Sequence, residues 1–392
     1  MVVEAQAGRA TRTGRAMAAL CSGTALMNAA MAVASVAGTL VAGDRLGTGW
    51  AGVPATAGII GTGAGALVLT RLTNRAGRRA ALVTGYVMAA AGACLAVAGV
   101  VAGDMIGLTA GMALLGLGNA GAQLSRYAAA ELHPAHRRGS AIGVVVWAAA
   151  FGAVGGPLLL DASGDTATGM GLTSRAGPFL LASLACAVAA LASVAAPARA
   201  GTAAAPRMSL RRLARTPAAR SALVAMVAAQ VVMVAVMTAA PLEMHLHGDG
   251  LGAVGLTLSA HTLGMFALSP VTGRLFDRFG ARPVMLAGLL LLVGSAGSAA
   301  FPPVRPVALF LLGYAWNLCF VAGSGHLARD LPESERLHVE GAVDAAVWTV
   351  AAGAGLLSTV IMSAGGYGAL TATACAVAVL ATLAQARLRG GR

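Results

Sequence analysis

The chain has 392 residues, of which 58% are apolar and 10% are charged, and its mean hydropathy is +0.79. A soluble domain of this length needs more polar surface than these numbers supply, so the composition excludes one and predicts a polytopic membrane protein. The formal net charge is +13 although the sequence contains no lysine, so arginine supplies all of the basic charge.

Twelve apolar runs long enough to cross a bilayer follow one another along the chain, and each predicts a transmembrane helix. The runs are residues 17–41, 53–70, 81–102, 106–125, 140–160, 178–197, 220–241, 253–272, 283–301, 307–327, 339–362 and 367–386. The first run lies well in from Met1, is longer than the apolar core of a signal peptide and is followed by further runs. We therefore interpret it as a span that is retained.

The arginines predict the orientation of these spans. If the N-terminus is inside and the number of spans is even, only Arg45, Arg175 and Arg305 fall on the outer side, and the other 24 of the 27 arginines are cytoplasmic. This asymmetry satisfies the positive-inside rule and predicts that both termini are cytoplasmic. The basic charge is therefore explained by topology, and we expect no nucleic-acid partner.

A polar, arginine-rich stretch divides the twelve spans into two sets of six. The predicted organisation is an N-terminal half at 1–197, a cytoplasmic linker at 198–220 and a C-terminal half at 221–392. The loop after span two, "TRLTNRAGRR", is echoed by the loop after span eight, "GRLFDRFGARP". Aligning Gly77 with Gly280 also aligns Asn74 with Asp277, which indicates a parallel repeat of two six-helix halves.

These two loops resemble the signature that the major facilitator superfamily carries between its second and third helices and again between its eighth and ninth. The second copy keeps the signature at Gly273, Asp277, Arg278, Gly280 and Arg282. The first copy lacks the opening glycine and has Asn74 in place of the aspartate.

The resemblance implies an all-α membrane protein with the major facilitator superfamily fold, that is, twelve transmembrane helices in two six-helix halves. It also implies that the acidic residue of the signature pairs with helix ends and holds the outward-facing state. We therefore predict a conformational role for Asp277, Arg278, Gly280 and Asn74.

Methionine and histidine are concentrated between residues 233 and 265, which hold three of the seven histidines of the chain. Span seven contains Met233 and Met237, and span eight contains His261 and Met265. Residues four apart lie on one face of a helix, one turn from each other. If the two helices face each other, the two pairs can present four metal ligands to a common point.

Further soft ligands form a second group of candidates. The segment between spans seven and eight lies outside by the arginine count and offers Met244, His245 and His247 as a mouth where a metal is collected. Span one repeats the four-residue spacing with Met27 and Met31, which we predict as ligands from the opposite half.

Thioether and imidazole ligands together favour a soft metal ion, above all Cu(I), whereas Mg²⁺ and Ca²⁺ prefer oxygen ligands. Neutral ligands also suit a site within the membrane, where a charged group is costly. Packing is the alternative, because methionine is an ordinary filler of transmembrane helices and an imidazole can hydrogen-bond across a helix interface.

The pairs Met233/Met237 and His261/Met265, on spans seven and eight of a twelve-span chain, resemble the motifs of the CcoA-type copper importers. The resemblance implies that these residues are required for uptake of copper, the transported substrate, across the bacterial inner membrane. It also implies a supply of copper for assembly of the cbb3-type cytochrome c oxidase. We accordingly expect copper and the lipid bilayer as partners, a cytoplasmic copper chaperone or exporter as a further partner, a monomer and no organic cofactor.

Asp344 is the deepest acidic residue of the predicted spans. A carboxylate in a membrane span is a candidate for proton coupling, and a salt bridge or hydrogen bond to a neighbouring helix is the alternative. We expect Glu340, one turn earlier, at the membrane surface.

The sequence contains no catalytic triad, phosphate-binding loop or dinucleotide fingerprint. We therefore predict that the protein is not an enzyme but a secondary transporter, driven by a gradient or by a metal sink inside. Two other functions remain open. A multidrug or metabolite exporter of the same fold would have a large apolar cavity, and a non-transporting membrane copper chaperone would share the ligands but produce no flux.

Overall fold

A computed structural model of the chain describes residues 2–47, 50, 52–196, 216–247 and 251–388, and the regular structure of these residues is entirely helical. Most of the predicted linker lies outside the described residues. The α-helices are α1 (Val2–Leu46), α2 (Val53–Ala102), α3 (Met105–Glu131), α4 (Arg138–Leu158), α5 (Leu160–Gly169), α6 (Gly177–Ser193), α7 (Pro217–Leu246), α8 (Leu251–Phe266), α9 (Ser269–Phe279), α10 (Ala281–Ser298), α11 (Arg305–Asp330) and α12 (Glu333–Arg387).

The predicted all-helical fold with twelve spans is confirmed, although spans and helices do not match one to one. Ten helical segments of the described residues are long and apolar enough to cross a membrane. One of these segments, α2, contains the second and third spans, which are separated by a turn at Gly77 with φ 86° and ψ 166°. Span eight is divided between α8 and α9, each too short to cross a membrane alone.

Proline causes the division of span eight. Pro270 has no N–H, so the carbonyl group of Phe266 loses the amide donor that a continuous helix would provide. The hydroxyl group of Ser269 donates a hydrogen bond to this carbonyl oxygen at 2.7 Å instead. The break therefore falls directly after the segment that carries His261 and Met265.

The chain forms two compact units. The first consists of Met1–Leu132 and Ala148–Pro206, and the second of His133–Trp147 and Arg207–Arg392. Residues 133–147 thus belong to the second unit although they precede the predicted linker and include the start of span five.

Glycine allows the helices of the first unit to pack closely. A Cβ atom on Gly116 of α3 would overlap the carbonyl group of Gly58, and one on Gly118 would overlap the carbonyl group of Gly85. Small residues at such positions let transmembrane helices approach until their backbones touch.

The two signature loops fold alike in the two units. Gly77 and Gly280 have φ of 86° and 83°, a region that favours glycine, and both have an extended ψ. Arg79 donates a hydrogen bond to the carbonyl oxygen of Ala196, just beyond α6, and Arg282 donates one to Ala386 near the end of α12. Each arginine thus supplies positive charge at the C-terminal end of the last helix of its half, where the helix dipole favours it.

Candidate functional site

Helix α11 is the common support of the two helices that carry the Met and His motifs. Both α7 and α8 pack extensively against α11 and make few contacts with each other. Trp316 of α11 donates its Nε1–H to Oε1 of Gln230 on α7 at 2.7 Å, and its ring meets Phe266 edge to face at the end of α8. One α11 side chain therefore contacts both helices.

The methionines of α7 lie on the face that is directed towards α11. Met233 and Met237 follow Gln230 at positions i+3 and i+7, so the three side chains share one face. Gln230 is bonded to Trp316, and Met226, one turn before Gln230, packs against Gly323 of α11. Met233 is buried and Met237 is half-buried.

His261 of α8 is held against α11 by a hydrogen bond that also determines its tautomer. Its Nδ1 lies 2.8 Å from the carbonyl oxygen of Leu309, and its side chain is only 4% exposed. A carbonyl oxygen can only accept, so Nδ1 carries the proton and Nε2 keeps its lone pair. A histidine that binds a metal is held in the same way, with one ring nitrogen donating to a carbonyl group and the other free to coordinate.

Two glycines bring α8 close enough for this bond. A Cβ atom on Gly313 of α11 would overlap the carbonyl oxygen of His261 and would crowd the backbone of Met265. A Cβ atom on Gly264 of α8 would in turn overlap the carbonyl oxygen of Phe310. The His261/Met265 segment therefore lies backbone to backbone on α11.

Asn317, a polar residue inside a predicted span, connects α11 to the broken segment of span eight. It is fully buried, and its Nδ2 donates to the carbonyl oxygen of Met265 and to the hydroxyl oxygen of Ser269, both at 2.6 Å. Its Oδ1 accepts a hydrogen bond from Thr272 at 2.6 Å. Asn317 thus fixes the broken segment of span eight to α11. A buried amide within a span was the available signal, but only the tertiary structure gives its partners.

The structure brings each predicted pair onto α11, and the convergence of all four side chains on one ion stays a prediction. The predicted outer mouth is less open than expected, because Met244 lies inside α7 and is only 4% exposed. His247 is exposed, and its Nδ1 lies 3.3 Å from a carboxylate oxygen of Glu243. The side chain of His245 lies outside the described part of the structure.

Met27 and Met31, the predicted ligands from the opposite half, contact different helices of the first unit. Met27 is fully buried, and its Sδ lies 3.8 Å from Sγ of Cys186 on α6. Met31 is half-buried beside Gly58 of α2. Their role as ligands stays a prediction.

Asp277 accepts hydrogen bonds from the N-terminus of α4 within the second unit. Its two carboxylate oxygens accept from the backbone N–H groups of Gly139 and Ser140, both at 2.8 Å, and one also accepts from the Ser140 hydroxyl. A carboxylate at this position satisfies N–H groups that have no partner within the helix and complements the helix dipole. The neighbouring Arg278 is exposed and lies over the ring of Phe279.

The first signature loop has a different charged contact. Asn74 is half-buried. Four residues later, Arg78 forms a two-point hydrogen-bonded ion pair with Glu131 at the end of α3. In the sequence, Arg78 is only one of the arginines predicted to be cytoplasmic, and the pair is not evident because Glu131 lies 53 residues away in the chain.

The acidic residues of span eleven lie deep in the second unit. Asp344 is fully buried. Glu340 is also fully buried within the unit, and its expected position at the level of the membrane surface stays a prediction. The two carboxylates lie one helical turn apart on α12, in the interior of a predicted membrane protein, where acidic groups are rare and usually functional.

Ten long apolar helical segments among the described residues, which enclose buried amides, carboxylates and an imidazole, define a multi-pass membrane protein. The sequence matches the family described as the Major Facilitator Superfamily over residues 15–253 and 222–390. The chain therefore belongs to the Major Facilitator Superfamily, whose members are transporters rather than enzymes.

Relatives of the chain agree with this assignment. The uncharacterized MFS-type transporter YdeG of Bacillus subtilis is 31% identical over 88% of this chain and 84% of its own length. The riboflavin transporter RfnT of Brucella anthropi is 28% identical over 79% of each chain.

Solved structures support the fold. The human organic anion transporter MFSD10 superposes with a TM-score of 0.77 at 17% identity, covering 95% of this chain and 99% of its own. An outward-facing bacterial homologue of the iron transporter ferroportin superposes with a TM-score of 0.74 at 15% identity, covering 95% of this chain and 98% of its own. These identities establish a common fold only.

Proposed function

We propose that this transporter carries copper, as Cu(I), through a site that includes His261, Met265, Met233 and Met237. The observation that supports the proposal best is the state of His261. Its Nδ1–H is committed to the Leu309 carbonyl group, so Nε2 is the ring nitrogen that can coordinate. The methionines supply the soft thioether donors that prefer Cu(I).

The ligand set suits release as well as binding. Thioethers and a neutral imidazole need no deprotonation before they coordinate, whereas a thiolate must first lose its proton. An ion held by neutral ligands can leave without protonation of the site. A carrier needs this property, because its substrate must dissociate on the other side of the membrane.

The direction of transport is part of the proposal and rests on the resemblance to the CcoA-type importers. Copper would enter across the bacterial inner membrane and supply the assembly of the cbb3-type cytochrome c oxidase. We also propose that Asp344 couples transport to protons, since it is a fully buried carboxylate in a predicted span.

A second candidate substrate is a planar organic molecule. A relative with 28% identity is named a riboflavin transporter. In this chain, aromatic rings lie beside the His261/Met265 segment: Trp316 stacks on Phe320 with ring centroids 4.4 Å apart and meets Phe266 edge to face. Aromatic rings bind planar ligands by stacking, and since Trp316 and Phe320 are only 4% and 1% exposed, such a ligand would have to separate them from their present neighbours.

Uptake of radiolabelled copper under reducing conditions into proteoliposomes that contain the purified protein tests the copper proposal. The informative variants remove a donor atom and keep the shape. Met233→Leu and Met265→Leu replace sulfur by carbon at similar volume. His261→Asn keeps an amide N–H that can reach the Leu309 carbonyl group and removes Nε2.

A matched control is Met226→Leu, which makes the same exchange two helical turns before Met233. The side chain of Met226 packs against Gly323. We expect saturable copper uptake in the wild type and in Met226→Leu, and strongly reduced uptake in the other three variants. Equal uptake in all variants would overturn the site. Copper binding without uptake by the wild type would favour the non-transporting copper chaperone.

A further inference from the structure

The second unit contains a cleft of about 750 Å³ at the end of the bundle that the arginine count predicts to be cytoplasmic. It is formed by the start of α7, the turn between α9 and α10, the end of α11 and both ends of α12. The proposed copper residues lie elsewhere, since none of them lines this cleft.

Two helices begin at the cleft without a side-chain cap. Helix α10 starts after Gly280 and α12 after Pro332, and neither of these residues provides a capping hydrogen bond. The first N–H groups of a helix have no intrahelical partner, and the helix dipole adds positive character at the same end. Such helix ends favour an anion.

Arginine side chains add positive charge to the cleft. Arg220 and Arg282 are exposed, and Arg282 uses only Nη2 in its hydrogen bond to Ala386. Asp330 also lines the cleft, but its carboxylate is already hydrogen-bonded to Nδ1 of His326 at 2.6 Å and to Nε of Arg329 at 3.0 Å. Glu335 is the other acidic residue of the lining, so the arginines and the histidine outnumber the acids.

A buried amide lines the cleft beside these charges. Gln385 is only 1% exposed, and its Nε2 donates to the hydroxyl oxygen of Ser221 at 2.7 Å. Its Oε1 is buried and has no hydrogen-bond partner among the described residues. Ser221 follows Arg220 in the chain, and Arg282 donates a hydrogen bond to Ala386 next to Gln385, so both arginines are close to the amide along the lining of the cleft. An unsatisfied buried acceptor favours a ligand that brings a donor.

We propose that this cleft binds the headgroup of a phospholipid whose phosphodiester carries a neighbouring O–H or N–H donor, as in phosphatidylglycerol and phosphatidylethanolamine. The phosphate lies between Arg220, Arg282 and the N-terminus of α10, and the donor of the headgroup bonds to Oε1 of Gln385. A lipid fits better than a free phosphate ester because Phe279, which is 54% exposed, and Leu388 give the rim an apolar edge. Basic pockets on the cytoplasmic side of transmembrane helices bind lipid headgroups for the same reason.

Native mass spectrometry of the delipidated protein tests the proposal by titration with four probes. They are palmitoyl-oleoyl phosphatidylglycerol, phosphatidylethanolamine, phosphatidylcholine and inorganic phosphate. Phosphatidylcholine has the same phosphodiester but no hydrogen-bond donor in its headgroup. We therefore expect it to bind this cleft about fivefold more weakly than phosphatidylglycerol and phosphatidylethanolamine, because it lacks one hydrogen bond. Gln385→Leu should reduce the first two lipids to the level of phosphatidylcholine.

The combined variant Arg220→Gln/Arg282→Gln should weaken all three lipids by about a hundredfold or more, since both charge-assisted contacts are lost and each is about twice as strong as a neutral hydrogen bond. Arg274→Gln, which removes an exposed arginine of α9 outside the cleft, should change nothing. Equal affinity for the three lipids, or inorganic phosphate that displaces them at millimolar concentration, would overturn the proposal.

A second measurement covers the case in which Gln385→Leu does not fold. A photoactivatable phosphatidylglycerol should cross-link to the wild-type protein within residues 216–221 and 279–285. Cross-links confined to other segments would contradict the site.

Discussion

Replacing Asn317 by leucine tests whether the proposed site depends on the attachment of span eight to α11. Leucine has nearly the shape of asparagine but cannot form any of the three hydrogen bonds made by this buried side chain. Ser269 and Thr272 keep local partners, because their hydroxyl groups also donate to the carbonyl oxygens of Phe266 and Leu268. The carbonyl group of Met265 loses the side-chain donor supplied by α11.

The expected loss of stability follows from these lost hydrogen bonds. Hydrogen bonds between transmembrane helices contribute about 0.6 kcal/mol on average. A buried polar group left without its partner costs about 1–3 kcal/mol. We therefore expect Asn317→Leu to destabilise the protein by about 2–4 kcal/mol, the sum of two ordinary bonds and one poorly satisfied carbonyl group.

Thermal unfolding of the purified protein in detergent, together with copper uptake, measures the effect. The control is Asn119→Leu in α3, because among the described residues Asn119 has one long hydrogen bond of 3.3 Å, to Thr62, and its buried Oδ1 has no partner. Asn119→Leu should change the stability by less than about 1 kcal/mol. Equal destabilisation by the two substitutions, or unchanged copper uptake by Asn317→Leu, would refute the reasoning.

Three further substitutions test separate parts of the account. Gly313→Ala should destabilise the protein by about 1–3 kcal/mol through overpacking and should reduce copper uptake. Gly294→Ala, whose added methyl group has no described residue within 4 Å, should not destabilise the protein and should leave uptake unchanged; the opposite order would contradict the packing. Asp277→Ala removes the acceptor at the start of α4 and should lower the stability by about 1–2 kcal/mol in thermal unfolding, and an unchanged midpoint would exclude a capping role. Asp344→Asn should abolish copper accumulation driven by a proton gradient and retain exchange of copper across vesicles without a gradient; full accumulation would exclude a coupling role.

The helices could be predicted from the sequence because the membrane leaves few alternatives. A backbone in hydrocarbon must satisfy its polar groups within the segment, so each long apolar run becomes a helix. The alignment of Gly77 with Gly280 predicted a repeat of two halves, and the two glycines adopt the same positive φ in equivalent loops. In both cases the local sequence was sufficient for the prediction.

Tertiary contacts could not be predicted in the same way. The end of α7 was expected at residue 241, but the helix continues through Pro241 to Leu246 and buries Met244. Glu340 is fully buried, and nothing in the sequence around it indicates that neighbouring helices cover it completely. Hydropathy gives the length of a span but does not show which neighbours its polar residues meet. An amide within a span indicated that Asn317 connects helices or lines a cavity, but its partners and the role of Gly313 became visible only when α8 and α11 were seen in contact.

The most direct test of the central claim compares two substrates in the same proteoliposomes. Uptake of radiolabelled copper under reducing conditions is measured beside uptake of radiolabelled riboflavin, with protein-free vesicles as the blank. The account predicts saturable copper uptake that His261→Asn abolishes, and riboflavin uptake no greater than the blank. Saturable riboflavin uptake without copper uptake would contradict the account and would assign the methionines of α7 and α8 to helix packing.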